Sequence, residues 1–241
     1  KNLHRQNTGK SLALSLVEFP EVPNRIQYTV EQVEKYTELH DFGKYLTAML
    51  ELDAFFLNED RHTNNIAVLY DTEKDCYELS PIFDQGLSLL ADTSYDFSLE
   101  QPLEDCIKRV EAKPFHSSFV QQVDAAEELY GIQIHFHFGA KEVQKELQTL
   151  NEGYSEEIIM RVERLLREQM RRYAYLMDWI ENGHVGSISK KERPLVERQN
   201  LLSIIFSGCV GLKRRMHSPF THPFAMRIQQ DVQICIEAQM T

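Results

Sequence analysis

The chain has 241 residues, of which 42% are hydrophobic, 10% aromatic and 26% charged, a soluble-globular balance that excludes a collagen-like or disordered chain. Its net charge of −11 argues against a nucleic-acid binder that works by neutralising phosphates. No run approaches the roughly 18 consecutive apolar residues of a membrane span, and the polar stretch Lys1–Lys10 lacks the apolar core of a secretory leader. The acidity is uneven. From Met160 onward there are 13 basic and 8 acidic residues, against 13 and 29 before it. The four cysteines, Cys76, Cys106, Cys209 and Cys235, are far apart and form no C-x-x-C. Free thiols in a reducing cytosol fit that spacing better than a disulfide scaffold or a zinc site, so a cytoplasmic location is expected.

Residues 1–29 read as an extended connection punctuated by Pro20 and Pro23. A short helix is expected over Val30–Leu39. A stronger one is expected over Phe42–Leu57, with Asp41 as its cap and Phe42, Tyr45, Leu46, Met49, Leu50 and Phe56 at buried helical spacing. Asn58–Asn65 reads as a polar loop. Ile66–Tyr70 and Cys76–Ser80 read as two strands joined by the turn Asp71–Asp75. An irregular stretch then extends to about Pro114. Ser118 and Gly131 bracket a helix over Phe119–Tyr130. The alternation of Ile132, Ile134, Phe136 and Phe138 predicts a short strand, and helices are expected over Ala140–Leu150 and Ser155–Ile180. Residues 184–241 change character, with three of the eight prolines, the basic cluster Lys213-Arg214-Arg215 and a possible helix near Ile228–Ala238. The organisation expected is a connection (1–29), a body (30–183) and an extension (184–241), in an α+β, predominantly helical fold.

One constellation carries chemistry. Asn58-Glu59-Asp60-Arg61-His62-Thr63-Asn64-Asn65 is followed by an apolar strand, and nineteen residues after Asn65 comes Asp84, in Pro-Ile-Phe-Asp-Gln-Gly. Phosphoryl transfer needs a carboxylate to orient the attacking hydroxyl, and an amide oxygen with a second carboxylate to hold magnesium against the nucleotide phosphates. Asp60 and Asn65 can point to one side of a loop, and a hairpin can return Asp84 to face them. A ligand set of two hard oxygens suits Mg²⁺, which keeps waters and phosphate oxygens in its shell.

The string D-R-H-x-x-N before a strand resembles the catalytic loop of phosphoinositide kinases. The wider pattern L-D-x-x-x-x-N-x-D-R-H-x-N-N, then P-I-F-D-x-G, resembles more closely the HipA-like bacterial serine/threonine kinases. The likeness runs from about Tyr36 to Gly131 and includes Ala112-Lys113-Pro114-Phe115. It implies the C-terminal lobe of a protein-kinase-like fold with a small β-hairpin at the active site, using ATP and Mg²⁺ to phosphorylate a protein serine or threonine. It also implies Asp60 as catalytic base and Asn65 and Asp84 as the metal and nucleotide ligands. Gln85 stands where many kinases carry phenylalanine, and Asn64 where HipA-like kinases carry lysine, which leaves His62 to share a phosphate or substrate contact.

A kinase lid, with its glycine-rich loop and strand lysine, is not found in the 59 residues before Asp60. Gly9-Lys10-Ser11 fails as a P-loop because His4 stands where glycine is required. The expectation is that the lid comes from upstream sequence or a partner chain. Two rival readings are a lipid kinase, disfavoured by the acidity near the site and the lack of an amphipathic membrane helix, and a truncated or pseudokinase-like binding module. Among other residues, Asp53 is a candidate brace for the catalytic loop, accepting backbone hydrogen bonds. His135 and His137 lack a third metal ligand in sequence. The arginines 161, 164, 167, 171 and 172 read as a solvated helix face or a phosphate-binding one. Thr93, Ser94 and Ser98 are modifiable positions after Asp84.

Overall fold

The computed structural model describes the backbone of residues 10–13 and the residues 22–151 and 153–177. The fold is mixed α+β and mostly helical, as expected. The extension 184–241, with its basic cluster and the helix expected near Ile228, lies outside the described residues.

Among the described residues, helix α2 (Phe42–Phe56) is central, contributing to both apolar cores. Every residue in it except Lys44 is buried, as befits a helix that is apolar nearly all round. One side of it packs with Ile26, Val30 and Val33 of α1 (Arg25–Thr37), the other with a larger core. Helix α1 starts five residues before the expected Val30, because Asn24 caps it, its side chain accepting from the Gln27 N–H at 3.0 Å. Asp41 precedes α2 without capping it. Its carboxylate lies 3.0 Å from Lys44 Nζ instead.

Helix α4 (Phe119–Tyr130) lies against α2, with Ser118 accepting from the Gln121 N–H and Gly131 at φ 75 ending it, as the sequence predicts. Gly43 permits the close approach. A Cβ there would stand 2.5 Å from the ring of Tyr130.

The expected hairpin forms as β2 (Ala67–Asp71) and β3 (Cys76–Leu79), with Val68 opposite Leu79 and Tyr70 opposite Tyr77. The expected extended connection instead supplies a further strand. β1 (Lys10–Ala13) pairs antiparallel with β2, giving the order β1-β2-β3. The stretch expected to be irregular up to Pro114 contains helix α3 (Leu103–Arg109), with Glu104 and Asp105 in its first turn and Lys108 and Arg109 in its last, charges that complement the helix dipole.

No strand forms over Ile132–Phe138. Ile134 and Phe136 drop into the core, and only Phe136 bridges, to Met177. After α5 (Ala140–Gln148), the long helix expected over Ser155–Ile180 ends early: α6 spans Glu156–Arg172 and a 3-10 turn, Ala174–Leu176, carries the chain on. Phe55 anchors the larger core, its ring 4.3 Å from that of Phe136 and in further contact with Phe56, Phe138 and Tyr173.

A carboxyl pair joins α2 to α4. Glu51 is fully buried, and its Oε1 accepts the Gln133 N–H at 2.9 Å. Its other oxygen is shielded from solvent beside the carboxyl of Glu127, which also accepts from Tyr175 Oη at 2.9 Å. Burial pushes Glu51 up to about 9, with the Gln133 N–H pulling the other way and Glu127 adding to the rise. Glu51 is therefore a neutral acid at pH 7. An acid with a folded pKa above its unfolded value holds its proton more tightly in the folded state. Its contribution is complete below about 4.5 and is lost as pH rises toward about 9. Glu51→Gln keeps both hydrogen-bonding directions without the proton. We expect it to be more stable than the parent at pH 8, by on the order of 1–2 kcal/mol, and to flatten the fall in stability between pH 5 and 9, read by thermal melts across that range.

Candidate active site

The loop Asn58–Asn65 is polar, as expected, yet Asn58, Arg61 and Asn65 are buried. Arg61 has no exposed surface and lies in an ion pair with Asp53, which is equally buried. Arg61 Nε donates to Asp53 Oδ2 at 2.7 Å, and Nη2 to Oδ1 at 2.9 Å. The remaining nitrogen, Nη1, donates to two carbonyls, Asn65 at 2.8 Å and Phe83 at 2.7 Å. One guanidinium thus ties the end of α2, the loop and the segment after β3 together. Burial alone would discourage its charge, but the Asp53 carboxylate more than offsets this and raises the guanidinium pKa.

Asp53 braces the loop by accepting backbone hydrogen bonds, as expected, and through its carboxylate as well. Oδ1 also accepts from Asn58 Nδ2 at 2.9 Å and Gln85 Nε2 at 3.2 Å. Its main-chain carbonyl takes the Leu57 and Asn58 N–H groups that end α2, with Leu57 in the left-handed region at φ 52. Asn58 then reaches across to the Asp84 carbonyl at 3.3 Å, and its Oδ1 accepts the Asp60 N–H. Gln85, buried, also accepts from Ser88 Oγ, so the residue that replaces the phenylalanine of many kinases is built into the brace.

These bonds place the four expected site residues. Asn65 is buried in the 3-10 turn Thr63–Asn65, and its Nδ2 donates to the Asp60 carbonyl at 2.8 Å, while Oδ1 accepts no hydrogen bond among the described residues. Asp60 is partly exposed, with Oδ1 3.9 Å from His62 Nε2. His62 Nδ1 is buried and has no hydrogen-bond partner among the described residues. Asp84 is exposed at φ 60, held by its backbone while no hydrogen bond engages its carboxylate among the described residues. Since the Asn65 and Phe83 carbonyls share one Arg61 nitrogen, the backbones leading to Asn65 and Asp84 are held close to each other.

The surroundings are acidic. Glu59 is half-buried and its pKa is raised, first by burial and then by Asp96, with Lys113 opposing and Asp92 and Asp60 reinforcing. Lys113 belongs to the Ala112–Phe115 stretch. Gln122 of α4 holds that stretch by accepting the Phe115 and His116 N–H groups and donating to the Lys113 carbonyl.

Arg61, Asn58 and Gln85 are the positioning residues that spacing did not single out. The signal for them was Asp53 inside an apolar helix, since a buried carboxylate requires a cation and donors nearby. No cluster of three histidine, cysteine or acidic side chains able to hold a metal occurs among the described residues, His135 and His137 included. Asn65 Oδ1 and the Asp84 carboxylate remain as hard oxygen donors of the kind Mg²⁺ takes when phosphates and water complete its shell.

Comparison of the chain with protein families, curated proteins and solved structures finds no match. No helix among the described residues is long and apolar enough to cross a membrane, and Cys76 and Cys106 are free thiols.

Breaking a buried ion pair from one side leaves an uncompensated charge. Asp53→Ala and Arg61→Ala are each expected to cost about 3–5 kcal/mol. The double variant Asp53→Leu/Arg61→Met should cost less than either single change. Urea unfolding of the three variants measures this, and additive losses would contradict the pairing.

Proposed function

We propose that this chain is the C-terminal lobe of a HipA-like serine/threonine kinase, transferring the γ-phosphoryl group of ATP to a protein hydroxyl. The observation that carries the reading is the common anchorage of Asp60, Asn65 and Asp84 around the buried Arg61. Two chain segments far apart in sequence are fixed against each other, so that two oxygen donors and a partly exposed carboxylate are carried on backbones held close together. The left-handed backbone of Asp84 supports it further. Non-glycine residues in that region cost energy and persist where surrounding bonds impose them, often at functional sites.

Asn65 Oδ1 and Asp84 would hold the magnesium, which bridges the nucleotide phosphates and offsets their charge. Asp60 orients the acceptor hydroxyl and takes its proton. His62, beside Asp60 and partly exposed, contacts the phosphate or the acceptor. The carboxylates Glu59, Asp92 and Asp96 favour a protein acceptor over an anionic lipid headgroup.

A metal ligand acts on the bound ground state, whereas an orienting base acts chiefly in the transition state. Asp84→Ala is therefore expected to abolish Mg²⁺-dependent nucleotide binding, and Asp60→Ala to spare binding while abolishing turnover. Calorimetric titration with Mg-ATP beside a phosphotransfer assay, on the full-length gene product, separates the two. Equal loss of binding in both variants would refute this division of roles.

Residues 1–59 hold no glycine-rich loop, so the isolated chain offers ATP one wall of a cleft. Each missing preorganised donor costs roughly two to three powers of ten in rate. Phosphate release by residues 1–241 alone should lie near the detection limit. Robust turnover would instead locate the lid within 1–29 or 184–241.

A further inference from the structure

We propose that the groove between α3 and α6 is a docking site for an acidic segment of a partner protein. The groove has a volume of about 450 Å³, with Leu103 and Ile107 of α3 as its apolar contribution. Around them stand five cations, Lys108 from α3 and Arg164, Arg167, Arg171 and Arg172 from α6, with two carboxylates, Glu104 and Glu168. This is a cationic concavity on a chain whose net charge is −11.

Intramolecular pairing uses part of this charge. Arg167 pairs with Glu163 at 2.7 Å and Arg171 with Glu168 at 3.0 Å. Lys108, Arg164 and Arg172 have no carboxylate within ion-pair distance among the described residues. The helix dipole accounts for basic residues in the last turns of α3 and α6. It accounts neither for Arg164, in the middle of α6, nor for the convergence of both helices' cations on one concavity.

Arg164 and Arg171 are seven residues apart on one helix face, roughly 10 Å along the axis. Carboxylates at alternate positions of an extended peptide, roughly 7 Å apart, can reach successive arginines of that row. Guanidinium forks bind carboxylates through paired hydrogen bonds, while the apolar floor takes the intervening side chains. The occupant is thus an extended segment that mixes acidic and apolar residues. Glu104 and Glu168 within the groove, and the acidity of the whole chain, disfavour nucleic acid and the flat surface of an anionic membrane.

Fluorescence anisotropy on the full chain tests this with a labelled octapeptide of alternating glutamate and leucine. Saturable binding is expected, weakening about tenfold between 50 and 300 mM NaCl as exposed charges are screened. Arg164→Glu, at an exposed position in the middle of α6, should weaken binding at least about tenfold with an unchanged circular dichroism melt. Glu104→Gln should tighten it. The proposal fails if the peptide does not saturate, if a lysine-for-glutamate peptide binds equally well, or if both variants bind like the parent. It also fails if phosphatidylserine vesicles or a short DNA duplex bind through Arg164 and the peptide does not.

Discussion

A single buried ion pair, Arg61 with Asp53, decides where everything around the candidate site stands. Two charges taken out of water are costly unless each is paired and its remaining donors and acceptors are satisfied. Here all three guanidinium nitrogens donate, and four side-chain donors converge on the carboxylate. The pair therefore fixes its partners as firmly as they fix it. Because Asp53 lies in α2, whose surface feeds both apolar cores, the loop takes its position from the most deeply buried of the described helices.

The remainder of the fold serves that helix. Gly43 lets α4 approach α2, and the protonated pairing of Glu51 with Glu127 joins the same two helices further along. Gln169 of α6 donates to the Ala54 and Phe55 carbonyls near the end of α2. Arg161 of the same helix donates to the Ser98 carbonyl and contacts Cys106 of α3, tying the stretch after Asp84 to the helical body. The loop that carries the site thus follows α2, which α4 and α6 hold by packing and hydrogen bonds.

Much of this was legible in the sequence where local chemistry decides the outcome. Ser118 and Gly131 bracket α4 because a hydroxyl cap and a left-handed stop act within one turn. The α2 periodicity and the Asp71–Asp75 turn worked for the same reason. What failed depended on distant neighbours. Ile132–Phe138 alternates like a strand, but its neighbour is α2 and the segment around Met177 rather than another strand, so Phe136 alone bridges. The apolar spacing beyond Arg172 continues through Tyr173 and Leu176 because a 3-10 turn still buries both. Helix α3, with seven residues, is too short to show a period inside a polar stretch. At the site, the spacing of Asp60, Asn65 and Asp84 was readable as a pattern, and the structure fixes their backbones together. That Arg61, between two candidate catalytic residues, faces inward was signalled only by Asp53, eight residues earlier in an apolar helix, since nothing in the loop itself marks an arginine for burial.

The saturation of Asp53 has a consequence for how the loop moves. Its carboxylate accepts Arg61, Asn58 and Gln85, and its carbonyl accepts the amides that close α2. Releasing one of these partners leaves a buried charge or dipole unpaired, so we expect the loop and the segment after β3 to shift together rather than singly.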